Sequence, residues 1–290
     1  MAGRHFLLLL LVVSGWAFNV VAMKFGLMEL PPLLMMMLRF IIVAAVLVPF
    51  TRLQRRQCGL VWLLAFTFGF IHFALLALGM RYTDAGSAAL LVQMGTPMAM
   101  LLAALWLKEP LSTRQVAGIA LAFAGVAVMA GSPTLFSWRG LLFLLTSAAG
   151  WACSNILIKR APPIAPLTLS GWVSLFSIPF VAVSSLLFEH NQISLLLTAG
   201  WRGWLGVLYS ALGSSLMAYS LWYWLLKKYP VNLIMPYSLL SPALALLMGA
   251  AIMGDPLNAS KLLGAALILG GIFIAVVSGG GRMTPAGRRR

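Results

Sequence analysis

"WAFNVVAMKF", Trp16 to Phe25, returns 135 residues later as "WACSNILIKR", Trp151 to Arg160. In both copies a Trp opens the run, an Asn follows three or four positions on, and a Lys falls eight positions after the Trp. A second duplication lies at an offset of about 146: "KEPLSTRQVAGIALAFAGVAVM" from Lys108 aligns with "MGDPLNASKLLGAALILGGIFI" from Met253. Glu109-Pro110-Leu111 then matches Asp255-Pro256-Leu257, Gly118 matches Gly264, and Gly125 matches Gly271. With a small gap, Tyr82 pairs with Tyr229 and Pro97 with Pro242. The chain reads as one unit written twice, over 1–132 and 137–279, followed by a basic tail over 280–290.

The unit is a membrane unit. Of 290 residues, 62% are hydrophobic and 9% charged, and the mean hydropathy is +0.99. That leaves too little polar surface to enclose the apolar content in water. Breaking the text at Pro, Gly and charge clusters predicts ten helical spans, 6–28, 32–50, 60–79, 85–107, 114–130, 139–160, 167–187, 201–226, 232–253 and 260–278. They are too long and too uniformly apolar for barrel strands, so an all-α membrane protein is expected. Each copy holds five spans, and five is odd, so the second copy enters the bilayer upside down. That predicts two inverted five-helix repeats.

Loop charge sets the orientation. Placing the N-terminus inside puts Arg4, Arg52, Arg55, Arg56, Lys108, Arg114, Lys159, Arg160, Lys227, Lys228 and the four tail arginines in the cytoplasm. Arg81, Arg139, Arg202 and Lys261 fall on the opposite side, so both termini are expected to be cytoplasmic. The net charge of +15 is then read as basic loops against anionic lipid rather than as a nucleic-acid surface. Arg4 followed by "FLLLLLVV" resembles a signal peptide, but the apolar run continues through "SGWAFNVVAM", and its partner at Trp151 belongs to a span; no cleavage is expected. Cys58 and Cys153 form neither a metal spacing nor an obvious disulfide pair.

The "W..N....K.G" text of span one, "LRF" at Leu38 to Phe40, and the "KEPL...Q..G..L...GV" run into span five resemble the EamA family of the drug/metabolite transporter superfamily. The resemblance covers nearly the whole chain. It implies ten helices in a 5+5 inverted repeat in a bacterial inner membrane, exporting small metabolites, with amino acids prominent among them. The family's Gly-Glu at the end of span four is Lys108-Glu109 here, with Gly254-Asp255 as its echo in span nine.

Polar residues deep in a span are costly and therefore candidates for function. Glu29, Asp84, Glu109, Glu189 and Asp255 all fall at span ends or loops. No carboxylate is left at depth to exchange a proton for a cationic drug, which favours a neutral or zwitterionic substrate. At depth stand Trp16 and Asn19, His72, Gln93, Trp151 and Asn155, Tyr219 and Trp222, and Tyr237. Spacings of three or four put Trp16 with Asn19, Trp151 with Asn155, and Tyr219 with Trp222 on shared helix faces. Aromatic walls with amide and phenol partners suit a small amphipathic ligand. The same residues also suit packing and interhelical hydrogen bonds, and both readings stand at this point. Trp62, Trp106, Trp138, Trp201 and Trp204 sit at span ends, where an interfacial belt explains them.

His72 reads either as a neutral hydrogen-bonder or as a proton-coupling group. Lys24 and Lys159 reach opposite interfaces by snorkelling, or gate through loop carboxylates such as Glu29. Arg39, well inside span two, needs a partner, either carbonyls at a broken helix end or a substrate carboxylate. Gly118 with Gly125, and Gly264 with Gly271, are seven apart and allow close helix contact. Pro97 and Pro242 are expected to kink spans four and nine as hinges. No HExxH, GxSxG or Walker A motif is present.

The expectation is a monomeric exporter of amino acids, including aromatic ones, or related metabolites, without cofactor or metal and working by alternating access. An importer or exchanger, a membrane-embedded enzyme, and a structural or channel-like protein are the alternatives.

Overall fold

A computed structural model describes residues 3–131, 137–229, 234 and 237–279, without the side chains of residues 219, 223, 226, 227 and 278. The described residues are helical throughout their ordered elements and contain no strand. Among the described residues eight helices are long and apolar enough to cross a membrane: α1 (Gly3–Gly26), α2 (Pro32–Phe50), α3 (Arg55–Arg81), α4 (Ala85–Trp106), α5 (Thr113–Ala130), α6 (Trp138–Arg160), α7 (Pro166–Phe188) and α10 (Ala259–Val277). Between α7 and α10 lie α8, running over 201–228, and the shorter apolar α9 (Leu240–Met253). A seven-residue helix, Gln192–Thr198, rides in the α7–α8 connection.

Helix starts follow local chemistry. Pro32 and Pro166 open α2 and α7 at positions whose N–H would lack a partner anyway. Ser112 and Gln115 form a capping box on α5, and the Asp84 carboxylate accepts Ser87 N–H at the start of α4.

Two interruptions stand at prolines. Pro97 has no N–H for the Gln93 carbonyl, so Thr96 N–H donates there instead at 3.0 Å and α4 breaks over Gln93–Met94. Pro242 stands in the same relation to a turn at Leu239, just ahead of α9. α3 and α8 are wide-wound at matching places, over Ala65–Ala74 and Tyr209–Ala218.

Packing between the elements has a simple rule. α5 packs on α10 and α2 on α7; α1 packs on α8 and α9, while α6 packs on α3 and α4. Adding or subtracting five from each number returns the same set. The partners run antiparallel. Gly118 abuts Gly271 and Gly125 abuts Gly264, so the register rises along α5 as it falls along α10. In α2 and α7, Leu33 lies at Glu189 and Leu47 at Gly171. The main core is rich in Met and Leu, with Met23, Met35, Met36, Met80, Met94 and Met129 essentially inaccessible.

Candidate functional site

A cavity of about 110 Å³ lies where α1, α3, α4 and α9 converge, beside the proline breaks. Asn19 and Met23 of α1, Met80 of α3, Gln93 at the α4 break, and Ser241 and Pro242 of α9 are among its walls. Asn19 Nδ2 faces the sulfur of Met23 at 3.6 Å, and its Oδ1 is buried with no hydrogen-bond partner among the described residues. A buried amide oxygen without a donor is costly and suits an incoming N–H group. Among the described residues no charged side chain lines the cavity.

The remaining predicted residues are not among these walls and stand in other settings. Trp16 stacks obliquely on Trp222 with ring centroids 5.0 Å apart, in an apolar cluster with Leu9, Val13, Leu225 and Tyr237. Tyr237 also meets Phe6 edge to face at 5.9 Å. The Tyr219 side chain lies outside the described residues. Trp151 lies where a Cβ on Gly95 would meet its ring at 2.7 Å, so Gly95 gives α4 its close approach to α6. Asn155 Nδ2 donates to the Trp151 carbonyl at 2.7 Å within its own helix. Of the repeated pairs, only Asn19 is among the cavity walls.

His72 is buried against α6. Its Nδ1 lies 3.1 Å from both the carbonyl and the hydroxyl of Ser147, whose hydroxyl donates back to the His72 carbonyl at 2.7 Å. The ring stacks on Phe68. The Arg39 guanidinium donates to Ser215 Oγ at 2.9 Å and lies 4.1 Å from the Phe73 ring centre. Pro97 is buried in α4.

The lysines of the duplicated motif differ in surroundings. Lys24 donates to the carbonyls of Met80 at 2.5 Å and Thr83 at 2.6 Å rather than to Glu29. Lys159 pairs with Glu109 at 2.5 Å, with both side chains about half exposed.

The carboxylates do more than sequence reasoning assigned them. Glu29 accepts Gly203 N–H at 2.6 Å, at the start of α8. Glu189 accepts Leu33 N–H at 2.7 Å and Leu34 N–H at 3.0 Å, at the start of α2. Asp255 accepts Gly86 N–H at 3.3 Å, at the start of α4. Each crosses from one half of the chain to a helix N-terminus in the other, where unpaired amides and the positive dipole end favour an anion. A carboxylate near the proline or small-residue start of a span was the available signal, but its acceptor role lies in the opposite repeat. Among the described residues no group of His, Cys, Asp and Glu has the arrangement to hold a metal.

Comparison with known proteins converges on one class. The "Probable amino-acid metabolite efflux pump" of Salmonella typhimurium is 34% identical, covering 95% of this chain and 96% of that protein. The Escherichia coli protein of the same description is 32% identical with the same coverage. An uncharacterized transporter of Bacillus subtilis is 27% identical over 89% of this chain and 82% of its own. A protein of known crystal structure superposes with a TM-score of 0.65 at 20% identity, covering 96% of this chain and 100% of that one, which shows a shared fold. Residues 4–131 and 138–277 match the EamA-like transporter family twice over, and the chain is a membrane protein belonging to that family.

Proposed function

We propose that this chain is an inner-membrane secondary transporter that exports small metabolites, foremost amino acids including aromatic ones, by alternating access between two inverted five-helix halves. The observation that carries the reading is the exchange of packing partners when each helix is replaced by the one five places away, with α2·α7 and α5·α10 antiparallel. Halves related in this way can rock about a shared interface while a site between them stays fixed. The cavity adjoins the Pro97 and Pro242 breaks, where backbone irregularity provides hinges.

The substrate class follows from the walls. Thioether and aliphatic groups of Met23, Met80 and Leu76 accept an apolar side chain, and Asn19 Oδ1 offers an acceptor to an amino group. The efflux-pump relatives favour the same class and direction. The reading includes both termini in the cytoplasm, a monomer without cofactor, and no nucleic-acid partner.

Counterflow of labelled phenylalanine and leucine into proteoliposomes tests it, with and without a pH gradient, for wild type, Asn19→Ala and His72→Ala. Counterflow by wild type, reduced about tenfold or more in Asn19→Ala, is expected. His72→Ala is expected to keep its response to the gradient, because His72 is bound to Ser147 rather than placed in the cavity. Absence of counterflow with every amino acid tried overturns the substrate assignment.

A further inference from the structure

Four charged residues from separate parts of the chain gather beside the cavity. Lys261, at the start of α10, has a completely buried side chain. Its ammonium bonds Asp84 Oδ1 at 2.6 Å and the Pro256 carbonyl at 3.2 Å. Lys24 bridges the Met80 and Thr83 carbonyls on the approach to Asp84 and lies within Coulombic reach of Asp84 and Asp255. Asp84 also accepts Ser87 N–H and Oγ–H. Two lysines and two aspartates balance where a lone charge would carry a large desolvation cost. Glycines bring the backbones together: a Cβ on Gly86 would meet Leu246 Cα at 3.0 Å, and one on Gly249 would meet Gly86 N at 3.3 Å.

The cluster borders the cavity directly. Met23 and Met80 are cavity walls; Lys24 follows Met23 in sequence and holds the Met80 carbonyl. At the other end of the motif, duplication provides the counterpart. Lys159 matches Lys24 and Glu109 matches Asp255, yet Lys159–Glu109 is a half-exposed pair. α4 shows the same asymmetry: among the described residues, Ala85–Val92 packs closely on α9, whereas Gly95–Trp106 packs on α6.

We infer that Lys24, Asp84, Asp255 and Lys261 form a latch that seals the cavity at one membrane face, and that Lys159–Glu109 is its repeat-related counterpart, tightened when the latch opens. The inference rests on the alternating-access reading above. Opening at the latch face separates Lys24 from the two carbonyls and gives the four charges to water; closing at the other face desolvates Lys159 and Glu109. The buried set favours the state seen here.

Thiol accessibility tests this. Ser241→Cys in a Cys58→Ser, Cys153→Ala background reports on the cavity wall, and a membrane-impermeant methanethiosulfonate is applied from each face of oriented vesicles. Labelling is expected chiefly from the Lys159–Glu109 face. Neutralising a bonded pair together, Asp84→Asn with Lys261→Met, raises labelling from the latch face about tenfold. Lys24→Met removes the carbonyl bridge together with one positive charge of the set and shifts labelling the same way, so a double variant that misfolds does not decide the matter. Glu109→Gln lowers latch-face labelling. If saturating L-phenylalanine moves wild-type labelling between faces while Lys24→Met and Glu109→Gln keep the wild-type ratio, the latch is overturned and alternating access stands. If labelling comes from a single face under every condition, with or without L-phenylalanine, alternating access itself is overturned.

Discussion

Asp255 occupies the turn between α9 and α10, where burial and the adjacent Asp84 carboxylate push its carboxyl above the usual aspartate range. Gly86 N–H and the Lys261 ammonium pull the other way without cancelling the shift. The folded protein thus holds this proton more tightly than the unfolded chain. Stability therefore falls as pH rises from the ordinary aspartate value of 3.8 through the raised one, and the loss is constant above it. Asp255→Asn keeps an acceptor for Gly86 and removes the loss. Its melting temperature in detergent is expected to exceed wild type at pH 7 by roughly 1–2 °C, small because the site is partly solvated, with the two converging as pH falls toward 4. A variant that melts below wild type at pH 7 would show that attraction to Lys261 outweighs burial. At this scale the sequence located all five acids at span ends, because hydrocarbon excludes unpaired charge. It did not disclose their partners: Glu29 reaches Gly203, and Glu189 reaches Leu33 and Leu34, through tertiary packing of the two halves.

Between helices, contact depends on missing side chains. A Cβ on Gly118 would meet the Gly271 carbonyl oxygen at 2.5 Å and Ala275 N at 2.7 Å, and both are backbone atoms that cannot rotate away. Gly118→Val must therefore push α5 from α10, at an expected cost of about 1–3 kcal/mol. Gly270→Ala is the control: nothing lies within 4 Å of its Cβ, and Ala's higher helix propensity makes it neutral or stabilising. Thermal unfolding of the two variants separates the cases, and equal melting temperatures would remove the close-contact account. The seven-residue glycine spacing was legible because it is a local periodicity. The break in α4 was legible in kind from Pro97, and its position at Gln93 follows from the missing bond four residues back. The wide-wound turns over Ala65–Ala74 and Tyr209–Ala218 were not legible, since "AFTFGFIHFA" and "YSALGSSLMA" contain neither proline nor charge to mark them.

Across the whole molecule, the two kinds of duplication make one geometric demand. Antiparallel α2·α7 and α5·α10 place Glu29, Asp84, Glu189 and Asp255 at helix starts that share one end of the bundle, while Glu109 meets Lys159 at the other. The clustered loop arginines 52, 55 and 56 and the "KR" pair at Lys159–Arg160 belong with Glu109. On the proposed topology the positive-inside rule is expected to make that end cytoplasmic, so that the latch would face the periplasm. Reporter insertions decide it. Alkaline phosphatase needs disulfides, which form in an oxidising compartment, so an insertion at Ser137, between α5 and α6, is expected to be active. An insertion at Gln54, between α2 and α3, is expected to be inactive, and a fluorescent protein fused after Arg290 is expected to glow. The opposite pattern would invert the transporter in the membrane and place the latch in the cytoplasm without disturbing its geometry. Activity at both insertion sites would place the α2–α3 and α5–α6 connections on one face, contrary to the proposed topology, in which the three spans α3, α4 and α5 separate them.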